Sequence, residues 1–101
     1  MNPIDQQIID KQAEILKIND AIKAIQPLYD HTAAVDESLS KSAQIEVAIL
    51  RRQEEIAEIE YELLLEQQYA GTANITPEDG QSRIEALKVE IAEAEVELTQ
   101  I

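Results

Sequence analysis

Isoleucine and leucine recur at alternating three- and four-residue steps through three stretches of the chain. The first stretch runs Ile4, Ile8, Lys11, Ile15, Ile18, Ile22 and Ile25. The second runs Ile45, Ile49, Arg52, Ile56, Ile59, Leu63 and Glu66, and the third Ile84, Leu87, Ile91, Ala94, Leu98 and Ile101. Such spacing aligns one face of an α-helix and, sustained over heptads, makes a coiled-coil seam. The seams predict an all-α chain. Its core is an antiparallel coiled-coil hairpin over 38–69 and 77–101, joined by an N-terminal helix over 3–25 in a three-helix-bundle-like arrangement.

The middle stretch carries a second stripe two positions from the first: Ala43, Val47, Leu50, Glu54, Ala57, Tyr61 and Leu64. Two residues correspond to about 200° of helix rotation, so the two stripes lie on nearly opposite faces. A helix apolar on both sides is normally packed on both. The middle helix is therefore the expected central element.

Punctuation sets the boundaries. Asn2 followed by Pro3 is a favoured helix start, and the Gln26–Pro27 pair is expected to end or kink the first helix. The expected layout is a linker over 26–36, a second helix over 37–69 and a turn over 70–76, with Gly71 as a left-handed cap. Thr76-Pro77-Glu78-Asp79 then opens the third helix, with Thr76 as N-cap, Pro77 at the first position and two acids facing the positive end of the helix dipole. The short turn makes helices two and three antiparallel along their matched seams. Arg52, inside a seam, is expected near Ala94 or Leu98 with its guanidinium reaching outward to a glutamate. Lys11 is expected to do the same from the first helix.

At 101 residues this is one domain, 1–101, rich in Glu, Ala, Ile, Leu and Gln, with two Gly, three Pro and no Phe, Trp or Cys. That composition argues against a compact β fold. It also removes disulfides and thiolate chemistry. No basic region leads into an apolar run near Met1, and no apolar stretch approaches the ~18–20 residues that span a bilayer, so a cytoplasmic protein without membrane contact is expected.

Charge sharpens the picture more. The net charge is −13, and it is uneven: residues 1–52 carry eight acids and six bases, residues 53–101 thirteen acids and two bases, Arg83 and Lys88. Direct binding of nucleic acid by the C-terminal half is unfavourable, because phosphate contacts need Lys and Arg. A protein partner with a basic surface fits better.

Candidate chemistry is sparse. His31, beside Asp30 in the expected linker, lacks the three convergent ligands that a metal needs and has no nucleophile to serve. Ser38, Ser40 and Ser42 have no base partner and suit caps and turns. Asn74-Ile75-Thr76 matches the glycosylation acceptor pattern but reads as a turn and an N-cap. No phosphate loop, metalloprotease motif or calcium-loop spacing is present. Neither an enzyme nor a cofactor or metal site is expected.

The suggestive positions are acidic and apolar ones that the seams leave over. Taking Ile49, Ile56, Ile84 and Ile91 as a positions, Glu55, Glu62, Glu90 and Glu97 fall at g, and Glu60 and Glu95 at e. Coiled coils usually pair opposite charges at these flanks. Lys17 and Lys23 of the first helix point elsewhere. Val89 and Val96 lie at outward f positions of the third helix. Ile9, Ala13 and Leu16 make a short second stripe on the first, and Tyr69 stands at the hairpin tip. Exposed apolar stripes and tyrosines mark contacts with other chains.

Two functions are consistent with this pattern. One is a non-enzymatic protein–protein interaction module, an adaptor or scaffold that forms a homo-oligomer or docks in a larger complex through coiled-coil helices. The other is an acidic inhibitor or nucleic-acid mimic that blocks a basic, nucleic-acid-binding protein; in size, acidity and helicity the chain is similar to small phage-encoded anti-defence proteins. In either case the candidate contact residues are Glu55, Glu60, Glu62, Glu90, Glu95, Glu97, Tyr69, Val89 and Val96.

Overall fold

The computed structural model describes residues 3–32, 37–71 and 74–101, and the side chains of all of these except 26–32 and 37–40. Three α-helices follow one another: α1 (Pro3–Thr32), α2 (Glu37–Gln68) and α3 (Pro77–Thr99). No strand occurs among the described residues. Asn2, Asp36, Thr72 and Ala73, which the sequence places at caps and in the turn, lie outside them.

The fold class follows the seams. α1 and α3 each pack on α2, and no Cα of α1 comes within 8 Å of one in α3 among the described residues. The central position of α2 has its cause in the two stripes. Ile45 and Ile49 of the main seam and Val47 and Ala57 of the second stripe are all buried, together with Ile22 of α1 and Ile84 and Leu87 of α3.

The main seam does not serve the hairpin alone, however. Ile59 and Leu63 pack on α3 at Gly80, whereas Ile56 lines a cleft with Ile18 of α1 and Ile49 lines another with Ile25. A heptad pattern on a nearly straight helix drifts about 20° per repeat. Successive seam residues therefore fan across the angle between two neighbours.

Several boundaries differ from expectation. α1 does not end at residue 25 but continues through Pro27 to Thr32, so residues 26–32 are helix rather than linker. Proline removes one amide donor and disfavours helix in the residue before it, which is a local cost. No glycine or second proline follows before Thr32, and each further helical residue regains a backbone hydrogen bond. His31 accordingly lies in the last turn of α1 rather than in a linker. Ser38, Ser40 and Ser42 lie in the first turns of α2, within the expected bounds of the second helix. α3 stops at Thr99; Gln100 donates its N–H to the Glu97 carbonyl at 3.1 Å, and Ile101, expected to close the seam, falls outside the helix and is exposed.

The hairpin turn forms as its residues dictate. Gly71 has φ of +90°, the left-handed region where an L side chain is strained. Its N–H donates to the Glu66 carboxylate at 2.9 Å, so a residue that began as a seam member instead ties down the end of α2. Thr76 Oγ1 accepts from the Asp79 N–H at 3.1 Å, with Pro77 beginning the helix.

Gly80 was not apparent as a packing residue, although counting four back from Ile84 places it in the seam. It is buried, and a Cβ there would meet Leu63 Cδ1 at 3.1 Å and Ile59 Cγ2 at 3.3 Å. The absent side chain lets α3 approach α2 closely and sets the register of the hairpin. That register puts Arg52 opposite Glu90 rather than Ala94 or Leu98.

The arrangement is elongated, with extents of 51 × 25 × 19 Å. The radius of gyration is 16.3 Å, against about 13 Å for a compact domain of this length. The accessible surface is 6669 Å², against about 5,700 Å² for an average monomer of 11.3 kDa. α2 has helices on two sides and none between them.

Candidate functional site

The charged groups between the helices divide into those that stitch the fold and those that face solvent. From α1, Lys11 reaches Glu14 Oε2 at 2.6 Å and Glu60 Oε1 of α2 at 3.2 Å. Burial works to lower the Lys11 pKa, but the two carboxylates outweigh it and hold the ammonium above its ordinary value. Beside it, Gln12 Nε2 donates to the Tyr61 hydroxyl at 3.1 Å, so Tyr61 of the second stripe faces α1. Across the hairpin, Arg52 Nε lies 3.3 Å from Glu90, and Arg83 makes a two-pronged contact with Glu55 at 3.1 and 3.2 Å. The Glu55 pairing raises the Arg83 pKa.

The six candidate glutamates thus separate. Glu55, Glu60 and Glu90 are each engaged by a base within the chain. Glu62, half-buried, and Glu95 and Glu97, both exposed, form no ion pair among the described residues. The expectation that the glutamate flanks go unneutralised is corrected for the first three. The signal was present in the heptads: Arg83 sits at g, opposite Glu55 at g, and g faces g in an antiparallel pair. Arg52 and Lys11 reach outward from seam positions because their long stems pack while their charges find the rim.

The apolar candidates stay uncovered. Val89 is 58% exposed and Val96 57%, on the side of α3 away from α2; Ile9 and Leu16 are 48% and 63% exposed on α1, and Tyr69 is 58% exposed at the hairpin tip. Solvated helix faces usually carry polar residues.

Clefts line the contact of α1 with α2. The first, about 490 Å³, lies where the start of α1, the end of α2 and the start of α3 meet, and includes Asp10, Lys11, Glu14, Glu60, Leu63 and Ile84. The second, about 450 Å³, shares Glu14 with the first and adds Lys17, Ile18, Gln53 and Ile56. The third, about 260 Å³, shares Gln53 with the second and adds Ile25, Glu46, Ile49 and Leu50. Sequence reading gave no sign of them, since they depend on how far apart α1 and α3 stand.

Among the described residues no group of three or more His, Asp or Glu is placed to hold a metal, and no helix is long and apolar enough to cross a membrane. No family model matches this chain, and neither a curated protein nor a solved structure matches it.

Proposed function

We propose that this protein is a non-enzymatic protein–protein interaction module, an adaptor or scaffold whose helices present faces for other chains. The observation that carries this reading is the row of apolar side chains left in water on both outer helices: Ile9 and Leu16 on α1, Val89 and Val96 on α3, each about half exposed or more. Burying an apolar side chain of this size is worth ~1.5–3 kcal/mol, so four of them are a substantial unused reserve for association.

Size-exclusion chromatography with light scattering on the native chain and on a Val89→Lys/Val96→Lys variant tests the reading, alongside pull-down from the native host with mass spectrometry. The expected result is an oligomer or a specific complex that the lysine pair disrupts. A compact monomer that holds no partner, native and variant alike, counts against it.

The second reading, an acidic inhibitor of a basic protein, has its support in the cluster of Glu54, Glu55, Glu58 and Glu62 on α2, of which Glu58 is exposed. Partial desolvation, and then the carboxylates of Glu54, Glu55 and Glu62, raise the Glu58 pKa. A cationic surface would relieve that repulsion. Binding to such a surface should weaken steeply with salt. Salt-independent affinity would exclude this reading.

A further inference from the structure

The three clefts lie in line along α2 between Glu46 and Gln67, the first two sharing Glu14 and the last two Gln53, and together they trace a groove. Twenty-one helical steps of ~1.5 Å make it about 31 Å long, a span that suits an elongated occupant rather than a compact small molecule. Its floor is apolar, with Leu63, Ile56, Ile49, Ile18 and Ile25. Its charged lining is four carboxylates, Asp10, Glu14, Glu46 and Glu60, against two ammonium groups, Lys11 and Lys17. α1 and α3 stand apart on either side of α2, so α3 does not cover the clefts along their whole length.

Building on the interaction-module reading, we propose that this groove is the seat of a cationic amphipathic helix supplied by a partner protein. The partner's apolar stripe packs on the isoleucine floor. Its lysines or arginines meet Asp10 and Glu46, which form no ion pair among the described residues, and the Glu14–Lys11–Glu60 cluster, where one base faces two carboxylates. A second copy of this chain is the poorer occupant. Each of its own helices is net acidic, with acids to bases at five to three in α1, eight to three in α2 and seven to two in α3. Inserting any of them would set like charge against like.

The test uses the whole chain and three fluorescent peptides of about 21 residues, matched to the groove length. One peptide carries a leucine seam flanked by lysine, one the same composition scrambled to destroy the seam, and one the same seam flanked by glutamate. Fluorescence anisotropy at ~0.15 M salt should show the cationic seam peptide binding at least about tenfold more tightly than either control. A Glu14→Lys/Glu46→Lys variant should lose about tenfold or more of that affinity, while Val89→Lys/Val96→Lys keeps it. Methyl NMR should place the perturbations on Ile18, Ile49 and Ile56, and circular dichroism of both variants should show folded helices.

Equal binding of seam and scrambled peptides, no binding of the seam peptide, or insensitivity to Glu14→Lys/Glu46→Lys overturns the groove proposal. Perturbations at Val89 and Val96 in place of the isoleucines also overturn it, but leave the interaction-module reading standing. That reading fails on its own test, when the native chain forms neither oligomer nor complex.

Discussion

On the α3 side, α2 lays Ile59 and Leu63 against a glycine, buries Ile84 and Leu87, and closes the seam with two arginine–glutamate pairs. On the α1 side it buries Ile22 and makes the Lys11–Glu60 and Gln12–Tyr61 contacts, with three clefts along the junction against one of about 260 Å³ beside Leu87 on the α3 side. The hairpin is joined by a short, strongly punctuated turn and is locked where two backbones approach. The α1 junction joins a longer helix to α2 and carries more of the clefts. Of the two, the α3 interface holds the punctuated turn and the close glycine, and the α1 junction holds the greater cleft volume.

The largest test of this contrast is Leu87→Ala. Leu87 is 1% exposed, and truncating a leucine so enclosed costs ~2–5 kcal/mol, which urea unfolding should record. The matching change Ile18→Ala should cost clearly less, because Ile18 is only partly buried. Equal losses would erase the distinction between the two sides.

Gly80→Leu should follow, at ~1–3 kcal/mol of overpacking, with the hairpin register disturbed and the Arg52–Glu90 pair weakened. Gly80→Ala should be near neutral in thermal melts. Its Cβ at 3.1 and 3.3 Å presses on side-chain ends, while alanine gains ~1 kcal/mol of helix propensity over glycine. A large loss for alanine would mean that Leu63 and Ile59 cannot yield.

Thr76→Ala removes the hydrogen bond to the Asp79 N–H and should cost ~1 kcal/mol. Amide exchange should quicken at the start of α3 while α1 is unaffected. Lys11→Met tests the other side: the exposed ends of its ion pairs limit the effect to ~0.2–1 kcal/mol. A larger loss would show the α1 junction to be more tightly built than its clefts suggest.

The smallest effect is on pH. Partial desolvation and the neighbouring Glu54, Glu55 and Glu62 raise the folded-state pKa of Glu58 above its ordinary 4.5. A carboxyl raised in this way holds its proton more tightly folded than unfolded. Its contribution therefore grows as pH falls from neutrality toward the ordinary glutamate range, and is lost as pH rises back through the folded pKa. Thermal melts from about pH 7 to about pH 5 should show a slightly rising midpoint, and Glu58→Gln should flatten part of the rise.

The helix types, their order and the central place of α2 were legible because seams and caps act within a few residues of one another. Thr76 and Gly71 each did what their local chemistry requires. Pro27 sits inside α1 because the helix that continues beyond it outweighs its local penalty, a balance struck over more residues than the Gln26–Pro27 pair. Arg83 at g and Gly80 in the seam both follow from the heptad count.

The amino-acid order by itself determined that three amphipathic helices form, that the second carries two apolar stripes, and that the chain is heavily acidic toward its C-terminus. Those properties follow from periodicity, capping and charge count, each set by near neighbours. Only the tertiary structure decided which glutamates are consumed by Lys11, Arg52 and Arg83, how α3 slides to seat Gly80, and how far α1 stands from α3. These are distances between segments remote in sequence, and packing three rods around unequal side chains is what fixes them.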